Sequence, residues 1–308
     1  MAKTKKILFS VGICAYNEEK NIGKLIASIH KQILDEKFII KDIIIVASGC
    51  TDNTVKVINE LKLKYPRIKT FIQLKREGKA KAVNLFLKNA RSNYLILQSA
   101  DTITDKNCYR LLLLHLAKFD VGMVGGRVVP TDNPDTICGF ANHLKWNLHH
   151  LVNLKYPERP KIGELVAFKK IFSRIPPNTA VDEASIEPLI KLQDYKVVYE
   201  PRAIIYNSGP KTIRELLSQR RRIFAGHYET KLHYGYEVIT FSNFLIIPIF
   251  LSTLRLDIKN ILFSFITIAF EAIARLFGYL DVKYKLRNHT IWKIAESSKQ
   301  LRTVGSVK

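Results

Sequence analysis

The first half of the chain alternates between short apolar runs and longer amphipathic segments, and this alternation constrains the fold more than any other feature. The apolar runs are nearly continuous, which is typical of strands buried on both faces. Strands that alternate with helices of this length predict an α/β fold, a mostly parallel sheet with helices on both faces. We predict strands at 7–15, 42–47, 70–74, 94–101 and 122–129, and helices at 21–33, 54–63, 79–90 and 106–117.

The middle of the chain is less regular. Residues 130–160 show no clear period, and their pair His149-His150 lacks a third ligand at the spacing of a metal site. Further on, the pattern predicts a helix at 184–193, a strand at 196–199 that ends in a turn at Pro201, and a basic helix at 212–224. Gly163-Glu164 precedes an apolar patch and is a candidate for a second binding region.

Two apolar segments dominate the C-terminal part. Residues 238–254 contain no charged residue, and residues 261–280 contain only Glu271 and Arg275, which are one helical turn apart and can pair. Each segment approaches the ~20 residues needed to cross a bilayer, and basic flanks would place both ends on the cytoplasmic side. We therefore expect a membrane-associated helical hairpin. Helices lying in the membrane interface, or a soluble core hairpin, are the alternatives.

The charge balance indicates an anionic partner. The formal charge is +22 and the pI is about 9.8, which suits nucleic acid, anionic lipid or a nucleotide-like substrate. We expect no nucleic acid, because basic residues are spread over both halves and no helix-turn-helix, zinc or RNP pattern occurs. The four widely spaced cysteines predict reduced thiols in a cytosol-facing protein. The basic and apolar N-terminus has a short apolar run without a cleavage site, which predicts a strand rather than a signal peptide.

A carboxylate stands at the end of the strand at 94–101. Open α/β sheets place ligand-binding groups at the carboxyl ends of their strands, so Asp101 is a candidate ligand-binding residue. Gly78 and Lys79 lie shortly upstream, and this combination of glycine and basic charge indicates a phosphate-rich ligand. Read alone, Asp101 could instead cap the helix that follows it.

In this order, the parts resemble glycosyltransferase family 2, the inverting nucleotide-sugar transferases with a GT-A fold, and particularly its membrane-associated members. The resemblance covers nearly the whole chain. It is carried by segments 15–19 (Ala-Tyr-Asn-Glu-Glu), 47–54 (Ala-Ser-Gly-Cys-Thr-Asp-Asn-Thr), 78–84 (Gly-Lys with Asn84), 99–101 (Ser-Ala-Asp), 182–183 (Asp-Glu) and 219–223 (Gln-Arg-Arg-Arg-Ile).

The resemblance implies a role for each segment. Asp101 is expected to hold a divalent cation, Mn²⁺ or Mg²⁺, beside the donor diphosphate. Glu183 is expected to be the catalytic base, with Asp182 its acidic neighbour and the second candidate. Gln219, Arg220 and Arg222 are expected to close over the diphosphate or acceptor. The implied donor-binding residues are Ala15, Tyr16, Glu18, Ser48, Asp52, Gly78, Lys79, Asn84, Ser99, Ala100 and Asp101.

The implied reaction moves a sugar from a nucleotide-diphosphate sugar to a lipid-linked or glycan acceptor, on the cytoplasmic face of the cell membrane. The predicted regions are a GT-A catalytic domain at 1–209, a basic amphipathic interface region at 210–236, a membrane-associated hydrophobic helix pair at 237–281 and a basic cytosolic tail at 282–308.

Simpler interpretations remain open for several of these residues. Adjacent acids such as Asp182 and Glu183 often begin a helix, where the helix dipole stabilises them. The arginines at 220–222 could bind lipid headgroups. Lys79 could be a solvated helix charge, and Glu18 could cap a helix.

Three departures from the family pattern also matter. Ser99 replaces the first acid of the metal motif, Ser48 replaces a frequent aspartate, and Ile223 replaces a tryptophan associated with processive synthesis. The replacement at Ile223 favours single-sugar transfer, and Ser99 and Ser48 leave open a catalytically degenerate member. The net charge leaves open a basic protein that binds anionic ligands. A sugar nucleotidyltransferase is disfavoured because no glycine-rich basic loop follows the first strand.

Overall fold

One eight-stranded sheet forms the centre of the computed structural model, which describes residues 6–292 and 294–299. Its strands are β1 (Ile7–Ala15), β2 (Phe38–Ser48), β3 (Ile68–Gln73), β4 (Tyr94–Ser99), β5 (Thr102–Thr104), β6 (Val121–Pro130), β7 (Leu165–Lys169) and β8 (Lys196–Asn207). Their spatial order is β3-β2-β1-β4-β7-β6-β8-β5.

The sheet is mixed. Strands β3, β2, β1 and β4 run parallel to one another, and β6 runs parallel to β8. Strand β7 is antiparallel to both of its neighbours, β4 and β6, and β5 is antiparallel to β8. The predicted α/β class is confirmed, with antiparallel pairs that the sequence pattern did not indicate.

Helices cover both faces of the sheet. Helices α1, α2 and α4 pack on one face, and α3 and α6 pack on the other. The nine α-helices in the described part of the chain are α1 (Ile22–His30), α2 (Thr54–Lys64), α3 (Lys79–Asn89), α4 (Cys108–Leu116), α5 (Ile137–Lys155), α6 (Asp182–Lys191), α7 (Ile213–Tyr234), α8 (Asn243–Thr253) and α9 (Ile258–Tyr284).

Strand β1 shows how both faces become apolar. Phe9, Val11 and Ile13 are fully buried in the core shared with α1. Gly12 faces the other side, where a Cβ would lie 2.5 Å from the ring of Phe86 on α3. The glycine therefore lets α3 pack directly against the first strand.

The irregular middle of the sequence contains a 19-residue helix, α5, that was not predicted. The hydroxyl of Thr136 caps it by accepting a hydrogen bond from the backbone N–H of Gly139 at 3.1 Å. The helix buries Asn142 and Asn153, whose amides bond the Asp132 carboxylate and the Lys161 carbonyl oxygen. Buried polar residues of this kind break the apolar period that identifies a helix in a sequence.

Two other expectations need correction. Strand β8 does not end at Pro201 but continues to Asn207, and its register against β6 shifts between Gly126 and Arg127. A bulge thus absorbs the proline that would otherwise interrupt the strand. Helix α7 extends to Tyr234, ten residues beyond the predicted end at Phe224.

The C-terminal apolar segments form two helices of unequal length. The first segment divides into a 3₁₀ turn (Ile239–Phe241) and α8, which has 11 residues and is too short to cross a bilayer. Helix α9 has 27 residues and is the one helix in the described ranges that is long and apolar enough to span. The expectation of two membrane-crossing helices is therefore reduced to one candidate, which packs along α7.

Candidate active site

A cavity of about 460 Å³ lies where the carboxyl ends of β1, β2 and β4 meet. Strands β2 and β3 lie on one side of β1 and strand β4 lies on the other, so the order of the strands reverses between β1 and β4. Open α/β sheets bind their ligands at such a point. This first cavity brings together eleven of the predicted residues, from segments far apart in the sequence. They are Ala15, Tyr16, Glu18, Ser48, Gly78, Lys79, Ser99, Ala100, Asp101, Gln219 and Arg222.

Two glycines allow the loops around this cavity to approach closely. Gly49 has a φ of +65°, and a Cβ there would lie 2.4 Å from the backbone nitrogen of Arg76. Gly78 has a φ of +93°, and a Cβ there would lie 2.7 Å from the carbonyl oxygen of Thr290. The guanidinium of Arg76 is then held 4.1 Å from the ring centroid of Tyr16, where it forms part of the cavity wall.

The C-terminal segment closes one side of the first cavity. The Lys299 ammonium donates to the carbonyl oxygen of Tyr16 at 2.9 Å and forms an ion pair with the carboxylate of Glu18. Burial and the nearby Asp101 raise the pKa of Glu18 to about 7, although Lys299 opposes this shift. No local pattern could have indicated the contact between Lys299 and Glu18, because the two residues are 281 positions apart.

Acidic side chains crowd around the end of β4. Asp101 lines the first cavity, and Glu164 joins it at the start of β7, where its carbonyl oxygen accepts from the Ser99 N–H at 2.8 Å. Burial, together with Asp101 and Glu183, raises the pKa of Glu164 to about 7. A bound cation would reduce the electrostatic repulsion between these carboxylates.

The donor set can be tested against a hard divalent cation. Within the described ranges, no three His, Cys, Asp or Glu side chains are close enough to form a complete metal site. Mg²⁺ and Mn²⁺ are commonly held by one or two carboxylates together with substrate phosphates. Asp101, with Glu18 and Glu164 nearby, fits that incomplete site and does not fit an all-protein site.

Lys79 connects the cavity to the acidic pair that begins α6. Its ammonium lies 3.0 Å from Oδ2 of Asp182 and 3.6 Å from Oε1 of Glu183. Burial and the adjacent Glu183 raise the pKa of Asp182 to about 6. Burial acts in the same direction on Glu183, but Lys79 and a hydrogen bond from Asp182 outweigh it and lower the pKa of Glu183. Glu183 is therefore the member of the pair that stays ionised at lower pH.

A second cavity of about 160 Å³ adjoins the first. Asp182, Glu183 and Arg220 line it, whereas Asp101 lines the first cavity. The side chains that border both cavities are Lys79, Ser99, Glu164, Gln219, Arg222 and Trp292. The site therefore offers two connected compartments with Lys79 between them, which suits two reactants that meet.

The three consecutive arginines have different environments. Arg222 donates to the carbonyl oxygen of Ala180 at 2.8 Å, and its guanidinium lies 4.0 Å from the ring centroid of Trp292. Arg220 instead forms two hydrogen bonds with Glu271 of α9, at 2.7 and 3.0 Å.

Arg221 pairs with Asp281 of α9, whose side chain is fully buried. Lipid headgroup binding by all three arginines is therefore not what the structure shows, because two of them hold α9 against α7.

Two predicted donor-binding residues have structural partners instead. The Asp52 carboxylate accepts hydrogen bonds from the Thr54 N–H at 3.0 Å and the Glu19 N–H at 3.2 Å, which fixes the turn before α2. The Asn84 amide donates to the carbonyl oxygen of Ile175 at 2.9 Å and accepts from its N–H at 2.8 Å. Neither side chain is among those that line the two cavities.

The family model described as glycosyl transferase family 2 matches residues 10–188, more than half of the chain. The chain belongs to glycosyl transferase family 2. The matched range includes most of strand β1, both glycine turns, Asp101 and the acidic pair. The predicted family and enzyme class, a glycosyltransferase, are confirmed. This family member continues beyond the matched range into α7, α8 and α9.

Curated relatives agree with this family. Poly-beta-1,6-N-acetyl-D-glucosamine synthase from Staphylococcus epidermidis is 25% identical over 232 residues, which are 71% of this chain and 54% of the relative. The synthase from Staphylococcus aureus (strain COL) is 26% identical over 233 residues, with the same coverage. The chain thus spans about half the length of the curated relatives it matches.

A solved structure supports the fold over almost the whole chain. The mannosyltransferase PcManGT from Pyrobaculum calidifontis, in complex with GDP-Man and Mn²⁺, superposes with a TM-score of 0.66. The alignment covers 92% of this chain and 89% of that one, at 18% sequence identity. The likeness confirms the GT-A fold.

Proposed function

We propose that this protein is an inverting, nucleotide-sugar-dependent glycosyltransferase, and that the two connected cavities hold donor and acceptor. The observation that carries the proposal is the position of Lys79 between Asp101 in the first cavity and the pair Asp182-Glu183 in the second. The proposed donor is a nucleoside-diphosphate sugar. Its diphosphate would lie beside Asp101 and Lys79, and its nucleoside beside Tyr16 and Glu18.

A divalent cation held by Asp101 and the donor phosphates, Mn²⁺ or Mg²⁺, would stabilise the negative charge of the leaving diphosphate. The complex of the mannosyltransferase with GDP-Man and Mn²⁺ supports a cation of this kind. Lys79 and Arg222 would add fixed positive charge on the acceptor side of the same diphosphate.

Glu183 is the proposed base. Its carboxylate is kept ionised by Lys79, so it can accept the proton of an acceptor hydroxyl as that oxygen attacks the anomeric carbon. The bond from the anomeric carbon to the diphosphate breaks on the opposite side, which inverts the configuration. An acceptor phosphate would attack already ionised, and Glu183 would then have no proton to accept.

The acceptor is proposed to be lipid-linked or a glycan, reached at the cytoplasmic face of a membrane. Helix α9 leaves large apolar side chains exposed, including Phe265 at 68% and Leu276 at 57%, beside the second cavity's residues Glu271 and Arg275. Because Ile223 stands in place of the tryptophan associated with processive synthesis, we propose transfer of single sugars.

The test is donor turnover by detergent-solubilised protein. UDP- and GDP-sugars are supplied with Mn²⁺, Mg²⁺ or EDTA, and release of nucleoside diphosphate is measured. We expect metal-dependent release that falls by roughly 10²–10⁴-fold in Glu183→Gln. Asp101→Asn should lose its response to the metal.

Glu60→Gln is the matched control, because Glu60 is exposed on α2, and it should behave like the wild type. No donor binding and no release with any donor would instead indicate a degenerate member of the family.

A further inference from the structure

Glu164 has a backbone conformation that residues other than glycine rarely adopt. It is the central residue of a three-residue turn, in which the N–H of Leu165 donates to the carbonyl oxygen of Gly163 at 2.8 Å. The φ angle of Glu164 is +64°, in the left-handed region that favours glycine. A closed turn of this kind is rare and strained. Strained residues cluster at active and ligand-binding sites, so the Glu164 side chain is a candidate for direct contact with a substrate.

The neighbouring strand β4 holds this turn in place. The N–H of Ser99, at the end of β4, donates to the carbonyl oxygen of Glu164 at 2.8 Å. The next residue, Leu165, begins β7 and pairs with Gln98 of β4. Because the backbone is bonded to β4 at Glu164 and paired with it at Leu165, the sheet keeps Glu164 in the strained conformation.

The side chain of Glu164 lies at the boundary of the two cavities. Within the part of the chain that the structure describes, it is the one carboxylate that lines both of them. In the proposed arrangement, the donor diphosphate lies beside Asp101 in the first cavity, and the proposed base, Glu183, lines the second. The transferred sugar must lie between them, because its anomeric carbon is bonded to the diphosphate and faces the attacking oxygen. Glu164 therefore borders the space that this sugar would occupy.

Several hydrogen-bond acceptors near this boundary have few or no donors. Across residues 6–292 and 294–299, the Glu164 carboxylate accepts one hydrogen bond, a long one of 3.4 Å from the Asn207 amide. Asn207 is 6% exposed, and its own Oδ1 has no partner in these ranges. Gln219, which lines both cavities, has a buried Oε1 that also lacks a partner there. Buried acceptors without donors are uncommon and indicate a ligand that supplies the donors.

We propose that Glu164 is a specificity-determining residue whose carboxylate binds hydroxyl groups of the transferred sugar. Sugar hydroxyls can donate hydrogen bonds, and an ionised carboxylate can accept more than one of them. A diphosphate in the same position would be repelled, because it is negatively charged and presents acceptor oxygens. The inference rests on the proposed function, since the sugar in question belongs to the proposed donor.

The first test compares each donor that is turned over with its monodeoxy analogues, in which one sugar hydroxyl is replaced by hydrogen. We expect the wild type to prefer the parent donor over at least one analogue by about 10²-fold or more in kcat/KM, because that analogue leaves the carboxylate without a donor. In Glu164→Gln this preference should fall by about tenfold, since a neutral amide is a weaker acceptor. Binding of the nucleoside diphosphate alone should not weaken.

The strained turn supplies a second test. Glu164→Gly relieves the backbone and removes the carboxylate, so it should lose the same preference while its thermal midpoint rises by roughly 1–3 °C. Asp194→Gly is the matched control, because Asp194 also has a positive φ, +60°, but is exposed just after α6. It should keep the wild-type preference. A residue that only supported the fold would not lose specificity and gain stability in one substitution.

Three results would overturn the assignment. Donor turnover with an unchanged preference in both Glu164 variants would show that Glu164 does not contact the sugar, and it would leave the proposed function standing. Loss of the response to the metal in Glu164→Gln, as expected for Asp101→Asn, would make Glu164 a ligand of the cation instead. No turnover of any donor by the wild type would overturn the proposed function and this inference with it.

Discussion

The ammonium of Lys79 lies 3.0 Å from Oδ2 of Asp182, and the two residues begin different helices, α3 and α6. Two helix N-termini therefore meet at the boundary between the cavities, with a lysine on one and two carboxylates on the other. A helix N-terminus stabilises the carboxylates, and burial strengthens their attraction to Lys79. This contact sets the charge state of the proposed base.

Removing the charge of Lys79 should shift the pH dependence of transfer. Lys79 lowers the pKa of Glu183, so Lys79→Met should raise it. Because the ionised base is the active form, the acidic limb of the kcat profile should move to higher pH, and kcat near neutrality should fall.

Lys81→Met is the control, because Lys81 is exposed on the same helix and pairs with Glu77. An unchanged acidic limb in Lys79→Met would mean that Glu183 is not the base.

Lys299→Met should improve donor binding. In the structure the Lys299 ammonium is bound to the Glu18 carboxylate and to the Tyr16 carbonyl oxygen. These two residues are the ones proposed to lie beside the nucleoside. A donor would have to displace it, so its removal should lower the donor KM by about 3- to 10-fold. Steady-state kinetics with Lys20→Met as the exposed control would check this. A higher KM in Lys299→Met would show that Lys299 instead binds the donor.

Glu271→Gln should destabilise the packing of α9 against α7. Glu271 accepts hydrogen bonds from Arg220 at 2.7 Å and Arg275 at 2.8 Å, and its loss leaves both guanidinium groups without a carboxylate. We expect the free energy of unfolding to fall by about 1–3 kcal/mol. Differential scanning fluorimetry in detergent should show a lower midpoint than in Glu60→Gln. Equal midpoints would mean that this pair adds nothing to the packing.

Phe265→Asp should weaken membrane association. Phe265 is 68% exposed on α9, among apolar side chains that the described part of the chain leaves uncovered. Apolar surface of this extent is typical of a membrane or partner contact. Flotation with phosphatidylcholine–phosphatidylglycerol vesicles should show several-fold less bound protein.

The matched control for this prediction is Phe119→Asp. Phe119 is 90% exposed after α4, far from α9 in the sequence, and should not change flotation. Equal binding by Phe265→Asp and the wild type would place the membrane contact elsewhere.

The parts of the fold that repeat locally were accessible from the sequence. Strands β1 and β4 are nearly continuous apolar runs, which must be buried wherever they lie, and helix α3 has a helical period of its own. Helix α5 was missed because the tertiary structure, not an apolar stripe, satisfies its buried Asn142 and Asn153. Strand β7 was missed because five residues are too few to show a period.

In the candidate active site, too, some residues could be identified from the sequence and others could not. Asp101 and the pair Asp182-Glu183 were identified because each stands at the end or start of an element, a place with a known chemical use. Asp52 and Asn84 match family segments equally well, yet their hydrogen bonds are used by a turn and by the backbone of Ile175. Whether a polar side chain faces a ligand or the protein depends on its neighbours in space, and the local sequence does not show which residues these are.

By itself, the sequence determined the family, the α/β class and the acids at the strand and helix ends, because these depend on short-range patterns of burial and charge. Only the tertiary structure decided the pairing of Arg220 with Glu271, the approach of Lys299 to Glu18, and the second cavity, which Lys145 and Lys161 both line. Each joins segments distant in the chain, and electrostatic attraction and desolvation act on distance in space, whatever the separation along the backbone.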